Sequence, residues 1–421
     1  VAISPETARR LAAARDISAV LVFCALVLLG GRAFINAPYL QKERLTQRQA
    51  FSDIEQFFNA LENQRPGPRE AALAEAAARA DGFGRVTVRD LAYILYRHAA
   101  AAGGGTAVLW RPPRRWKDPE KRYPPFALEY RNGKFLVQAA SNPALAGAEL
   151  LKIDGRPAAD FLAPALDRIA AAGPRHRAAL FCRDQVFWWD LTGLLGGKPA
   201  FDAVFKLPGG AKKAARLEPA TAGELRRLIP APHAGREPFP VLRGTAWLEL
   251  PPMEDSRAWR RRCTAAFRKL NAQRIGDLVV DLRANDGASA RAARHLLSML
   301  DSGLGKEAYK GRVKLLIGPG TANAAAFFAA HARELPAVEV IGEETGGPAA
   351  GFPLTREFTL GASAIRAALP DGRFDGPATA RPEAVAPHLR LTEDLLRPHK
   401  GSVRTFLLSR IAAEREKAKE Q

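Results

Sequence analysis

"LLIGPGTANAAAFFAAHARELPAVEVIGEETGG", Leu315 to Gly347, decides how this chain is read. The apolar run Leu315, Leu316, Ile317 is broken by Gly318, Pro319 and Gly320. An alanine- and phenylalanine-rich stretch with helical spacing follows, and then a second short apolar run, "VEVIG". Strand, turn, helix and strand succeed one another within 33 residues, the pattern of a parallel sheet covered by helices. Residue 323 falls where the helix begins, so its surroundings include first-turn N–H groups and a partial positive charge that favours an oxyanion or alkoxide. Asparagine occupies the position, and asparagine is among the best N-capping residues, so Asn323 is predicted to cap this helix.

Outward from that stretch the same alternation continues. "TAWLEL" reads as a strand, residues 256–272 as a helix, "DLVVDLR" as a strand, 289–301 as a helix and "VKLLIG" as a strand, with 322–334 as the helix already described. "VVDLR" is expected to be buried and to open into a glycine-containing loop whose N–H groups, at Asp286 and Gly287, face a developing oxyanion. The end of the chain, "IAAEREKAKEQ", reads as a charged helical tail.

The first half has a different texture. Phe51, Ile54, Phe57, Phe58 and Leu61 recur at helical spacing, and the helical pattern runs over about 45–102 until Gly103, Gly104 and Gly105 interrupt it. Short β-like runs follow to about Pro219, with a hairpin signal at Pro208, Gly209 and Gly210. Before all of this, Arg9, Arg10 and Arg15 precede Ile17 to Gly31, fifteen residues without a charge. That composition fits a signal anchor or a cleavable signal peptide, and it predicts that the bulk of the chain is extracytoplasmic, in the periplasm. The expected organisation is an export or anchor segment at 1–37, a helical domain at 38–107, a β-rich module at 108–220 and a sheet-and-helix core with its tail at 221–421.

Lys and Arg outnumber Asp and Glu by 63 to 44, a net charge of +19 that favours anionic partners without naming one. Six basic residues near Trp110, Trp116 and Tyr123 read as a surface connection, and no nucleic-acid motif accompanies them. The basic residues 257–269 surround Trp259, Cys263 and Phe267 at helical spacing, the solvated face of an amphipathic helix. Cys24, Cys182 and Cys263 are far apart, and the seven histidines include no HExxH, so neither a disulfide framework nor a metal site is expected and no cofactor is implied.

Taken together, "GDLVVDLRANDGAS", "KLLIGPGTANAAAFFA", "VIGEETGGPAAGF" and "PEAVAPHLRLTEDLL" resemble, in order and spacing, the tail-specific or carboxy-terminal-processing serine peptidases. "AELLKIDGRPAADFL" is similar to that family's PDZ-like module, and the resemblance runs from about Phe51 to Leu408. It implies an α/β fold, α+β overall, with a crotonase- or ClpP-like core and peptide or unfolded protein segments as partners. Some relatives of this fold carry apolar ligands. The family pattern "T-x-S-[SA]-A" falls here on Thr321, Ala322, Asn323, Ala324, Ala325, so the nucleophile position holds an amide, which has no ionisable proton to lose. The histidine base of "D-G-H-T" falls on Gly105, and the lysine of "T-x-G-K-G" on Pro348 after Thr345. The resemblance therefore implies a pseudopeptidase whose cleft is lined by Asp286, Gly287, Thr321, Ala324 and Thr345. A hydrolase with a displaced nucleophile is the alternative; Ser289, Ser363, Thr321 or Thr345 would supply the hydroxyl and His295 or His331 the base.

Overall fold

The computed structural model describes residues 44–62, 69–102, 107–108, 122–167, 173–182, 198–221, 239–250, 256–287, 289–301, 308–350, 353–373, 384–399 and 401–420, with isolated positions between them. The expected anchor at 1–37, the triple glycine with Gly105, and the basic residues 111–121 lie outside the described residues. No helix among the described residues is long and apolar enough to cross a membrane.

The helical segment opens with β1 (Arg44–Thr46), followed by α1 (Gln47–Glu62), α2 (Arg69–Ala78), β2 (Arg85–Thr87) and α3 (Val88–Ala102). β1 and β2 pair antiparallel, a small sheet not foreseen from the helical periodicity. Ile54, Phe57, Phe58 and Leu61 are buried, as their spacing predicts, but the core they enter also contains Leu360, Ile365, Ala367 and Leu369 from a hairpin 300 residues further on. The buried carboxylate of Asp53 holds that hairpin by accepting from the N–H groups of Ala362 and Ser363, each at 2.8 Å. β3 (Ala107–Val108) pairs with the same hairpin.

The middle module contains β4 (Arg122–Tyr123), β5 (Phe126–Arg131), β6 (Lys134–Ala140), β7 (Glu149–Ile153), β8 (Arg156–Pro157), α4 (Ala158–Leu166), α5 (Pro174–Phe181), β9 (Phe201–Lys206), β10 (Lys212–Leu217) and β11 (Ala220–Thr221). Its main sheet has the order β10-β9-β7-β6-β5, antiparallel throughout. Two turns set the register. Asn132 and Gly133 join β5 to β6 with φ of 50° and 79°, and Asp154 and Gly155 join β7 to β8 with 47° and 78°, the left-handed pairs that two-residue hairpins require.

The carboxyl-terminal core contains β12 (Val241–Leu242), β13 (Thr245–Glu249), α6 (Arg257–Ala272), β14 (Asp277–Asp281), α7 (Ala290–Ser298), β15 (Arg312–Ile317), α8 (Asn323–Ala332), β16 (Val338–Gly342), the hairpin β17 (Pro353–Thr359) and β18 (Arg366–Arg373), β19 (Leu389–Arg390), α9 (Glu393–Leu396) and α10 (Val403–Glu420). The sheet order is β12-β13-β14-β15-β16-β19, parallel from β13 to β19. Helices α6, α7 and α8 cover one face, burying Trp259, Phe267, Leu296, Phe327 and Phe328 against Leu278, Val280, Leu315 and Ile317. The fold class and the order of strands and helices are thus those the sequence predicts.

The charged tail is helical, as expected, and it continues a helix whose earlier turns are apolar. Val403, Phe406, Leu407 and Ile411 of α10 pack on Trp247, Val279, Leu316 and Ile341, so this helix is the second cover of the sheet. Charged side chains tie it down. Lys314, 5% exposed, projects from β15 between Glu339 at 2.6 Å and Glu414 at 2.8 Å, and Arg410 bridges the same two carboxylates. Asp277, 1% exposed, takes Arg312 at 2.9 Å and Arg415 at 2.7 Å. Burial would push the Glu414 carboxyl up, but the hydrogen bonds and charges of Lys314 and Arg410 prevail and hold it below the ordinary range. The fold thus favours its ionised form. Its stabilisation is present above the unfolded-chain value of about 4.3 and is lost as pH falls through the lowered native value. Glu414→Gln is expected to cost about 1–3 kcal/mol in denaturant melts at pH 7, with the difference from the parent closing as pH falls through the lowered native value. A gap that persists unchanged at low pH would mean that the carboxylate's charge is not what holds α10.

Candidate active site

Three loops leave the carboxyl ends of adjacent parallel strands: 282–287 after β14, 318–322 after β15 and 343–348 after β16. Open α/β sheets place ligands beyond this edge. The loops are joined by their backbones. Thr321 donates its hydroxyl to the Leu282 carbonyl at 2.7 Å and accepts from the Gly318 N–H at 3.1 Å. The Ala322 N–H reaches Asn285 O at 3.2 Å, and the Gly346 N–H reaches Thr321 O at 2.8 Å. Thr321 is fully buried, so it joins the loops from beneath and does not face a ligand.

Gly287 has φ of 56°, and a Cβ there would lie 2.3 Å from the Ala325 nitrogen and 2.9 Å from Ala324 Cα. No side chain fits, and the loop after β14 therefore lies directly on the first turn of α8. Gly346 meets the same limit against the Pro319 carbonyl, at 1.8 Å. Segments 281–287 and 318–324 therefore adjoin through this packing. The oxyanion expectation meets a competitor: the Gly287 N–H already donates to Asn285 Oδ1 at 2.9 Å, turning the loop back on itself. Asp286 is half-buried beside it. The amides of Asn323 and Ala324 open α8 and are first-turn N–H groups, half of what an oxyanion site needs.

Asn323 does not cap the helix. Ala322 is the N-cap residue, extended at φ −150° and ψ 175°, with no side-chain cap bond. Asn323 is the first helical residue and has φ of 49°. An extended residue followed by a left-handed one makes a sharp turn from strand to helix. Asparagine is the residue that bears this backbone at least cost after glycine. The side chain is half-buried.

Neither His331 nor His295 is placed to serve as its base. His331 is on α8, eight residues on, so about 12 Å along the helix axis. Its ring packs against Phe327 at 4.4 Å, and burial, then the charge of Arg294, lowers its pKa. His295 lies between α6 and α7, with Nε2 3.2 Å from Thr264 Oγ1 and 3.3 Å from the Arg260 carbonyl. The spare hydroxyls have structural partners. Ser289 caps α7 through Ala292, Thr345 bonds the Gly347 carbonyl at 2.9 Å and the Val385 N–H at 2.8 Å, and Ser363 accepts from Ile365 in the hairpin turn. Pro348 bridges to Ala384. Among the described residues no cluster of three His, Cys, Asp or Glu side chains could hold a metal ion.

The sequence reading missed Glu343, although it stands in the quoted "GEET". It follows β16 directly, is 5% exposed, and accepts from the Asn132 N–H at 2.9 Å and from Arg175 at 3.2 Å. Burial raises its pKa, against the pull of Asn132, Arg175 and Arg131. Arg175 also reaches Glu344 at 2.9 Å, and a Cβ on Gly346 would lie 2.8 Å from the Cβ of His176. The middle module thus lies over the third loop through one hairpin tip and the start of α5. Nothing in the "PRHR" run that supplies Arg175 and His176 signals this role.

Residues 244–374 match the model described as Peptidase family S41. No curated protein matches the chain in sequence. Among solved structures, mature CPAF superposes with a TM-score of 0.53 at 14% identity, covering 86% of this chain and 96% of that one. Mature CPAF complexed with lactacystin gives 0.53 at 14% identity, with 86% and 97% covered. A photosystem II D1 C-terminal processing protease aligns over 85% of this chain and 98% of that one, at 14% identity and a TM-score of 0.43. Residues 244–374 thus resemble an S41 peptidase, and the fold of the chain is similar to that of mature CPAF.

The backbone at 323 generates a test. With φ near 50°, glycine is expected to be tolerated, and valine to cost about 1–2 kcal/mol relative to glycine. Denaturant melts of Asn323→Gly and Asn323→Val measure the difference, and equal midpoints would show that the turn is not left-handed in solution.

Proposed function

We propose that this chain is a pseudopeptidase: it keeps the cleft of a tail-specific peptidase, binds an extended peptide or unfolded segment there, and does not hydrolyse it. The observation that carries the reading is Asn323 on the strand-to-helix turn where the family pattern has serine. A carboxamide cannot be deprotonated to attack a carbonyl at neutral pH, and the family's covalent route needs that attack. The family's other base positions correspond to Gly105 and Pro348, neither of which can take a proton. Peptide binding does not depend on those groups. Strand addition uses backbone hydrogen bonds and side-chain pockets, and β5 and β10 are edge strands of the module's sheet. An apolar ligand is the second reading, motivated by the non-catalytic carriers of this fold class. We further propose that the uncharged run Ile17 to Gly31 anchors the chain with its bulk outside the cytoplasm.

Asn323→Ser alone is expected to give no measurable peptidase activity. Nucleophile and base act as a unit, and losing one member costs about as much as losing all of them, roughly a million-fold. The purified parent is expected to leave a serine-reactive fluorophosphonate unlabelled, while parent and Asn323→Ser bind the same unstructured peptides with equal affinity. Labelling of a single serine in the parent would establish the displaced-nucleophile hydrolase instead. Turnover by Asn323→Ser well above the parent would reveal a base near residue 323.

A further inference from the structure

We infer that the outer face of the α6–α7 layer is a docking surface for an anionic lipid bilayer. This goes beyond the pseudopeptidase reading and does not rest on it. The three helices that cover this side of the sheet carry eight Lys or Arg residues and no Asp or Glu. The excess is one-sided. On the opposite side, α10 intersperses Glu414, Glu416 and Glu420 with its basic residues.

Geometry gathers these charges. At 3.6 residues per turn, Arg257, Arg261 and Arg268 fall within about 40° of one another around α6, and all three are exposed. The contacts of His295 with Thr264 and with the Arg260 carbonyl hold α7 alongside, where Arg291 and Arg294 are exposed too. In sequence Glu254 and Asp255 precede α6, the half-buried Asp286 precedes α7 and Glu334 follows α8.

The chemistry of the partner follows from what the face lacks. Trp259 and Phe267 of α6 are turned into the core, so no aromatic surface is offered on which bases could stack. The surface is the outside of packed helices, suited to a broad planar polyanion. Anionic headgroups provide that, attracting each basic residue near the surface. The chain also carries the uncharged run Ile17 to Gly31 behind Arg9, Arg10 and Arg15, the composition of a membrane-anchoring segment. Arginines on a flat face then fix how the core lies on a bilayer that another segment reaches.

Co-sedimentation of the full chain with phosphatidylglycerol–phosphatidylcholine vesicles, and with phosphatidylcholine vesicles alone, tests this. Since each charge contributes about 5-fold near such a surface, the triple Arg257→Gln, Arg261→Gln, Arg268→Gln should weaken partitioning onto the anionic vesicles by about 100-fold at low salt. On the neutral vesicles it should match the parent. The corresponding triple to lysine should bind like the parent, and thermal melts of both triples report whether the fold is kept. Lys212→Gln, Lys213→Gln, Arg216→Gln on β10 removes the same charge elsewhere and should leave binding unchanged. The inference fails if the first triple binds anionic vesicles like the parent, or if the β10 triple loses as much. It also fails if the first triple loses only binding to a single-stranded oligonucleotide, which would make the face a nucleic-acid surface.

Discussion

The backbone of Gly287 lies against the first turn of α8 with no space for a methyl group between them, and the site depends on that contact. It sets the loop after β14 against the loop after β15, so two segments separated by more than thirty residues become one wall. The buried Thr321 hydroxyl reinforces the contact by closing the distance to Leu282. Backbone-to-backbone contacts of this kind leave almost no freedom, because no side chain can change rotamer to absorb a shift. A glycine there is required twice over, by φ and by space. The same logic recurs at Gly346, where the third loop meets Pro319. The carboxyl edge of the sheet is therefore rigid.

Behind this edge the sheet is held by two dissimilar covers. The α6–α8 side is an apolar seal with a basic exterior. The α10 side combines four apolar contacts with ion pairs around Lys314 and Asp277. Buried charges are costly unless every partner is present; here each has at least two. Such a network contributes less net energy than its pair count suggests, but it fixes register. α10 can sit on the sheet only where Glu414 meets Lys314 and Arg415 meets Asp277, so the last helix sets its own position along the strands.

Much of this architecture was legible because parallel strands buried on both faces write continuous apolar runs. "DLVVD" and "VKLLI" can hardly be anything else once helices alternate with them. The middle sheet was legible in part through its turns, the hairpin signal at Pro208, Gly209 and Gly210 falling between the paired strands β9 and β10. Where the reading failed, the cause was long-range contact. Nothing local to Asp53 announces that it will clasp a turn at Ala362 and Ser363, and the acid-and-lysine end of α10 hid the apolar residues just before it. Glu343 was written in the quoted motif, yet its partner Arg175 lies 168 residues away and no periodicity connects them. The site's contiguity was predictable; its hydrogen bonds were not. The loop glycine expected to present an amide outward presents it to Asn285 instead.

Residue 323 shows how local strain and chemistry trade against each other. A nucleophile at the start of a helix gains from the positive end of the dipole, but the turn that presents it forces the residue into left-handed backbone. For serine that conformation carries a steric cost, tolerable while selection maintains the reaction. Asparagine bears the same backbone more readily, because its short amide hydrogen-bonds locally and left-handed φ is several-fold enriched for it. Asparagine at this position suits the turn and the loop packing, and it offers an amide where the resembled pattern has a hydroxyl.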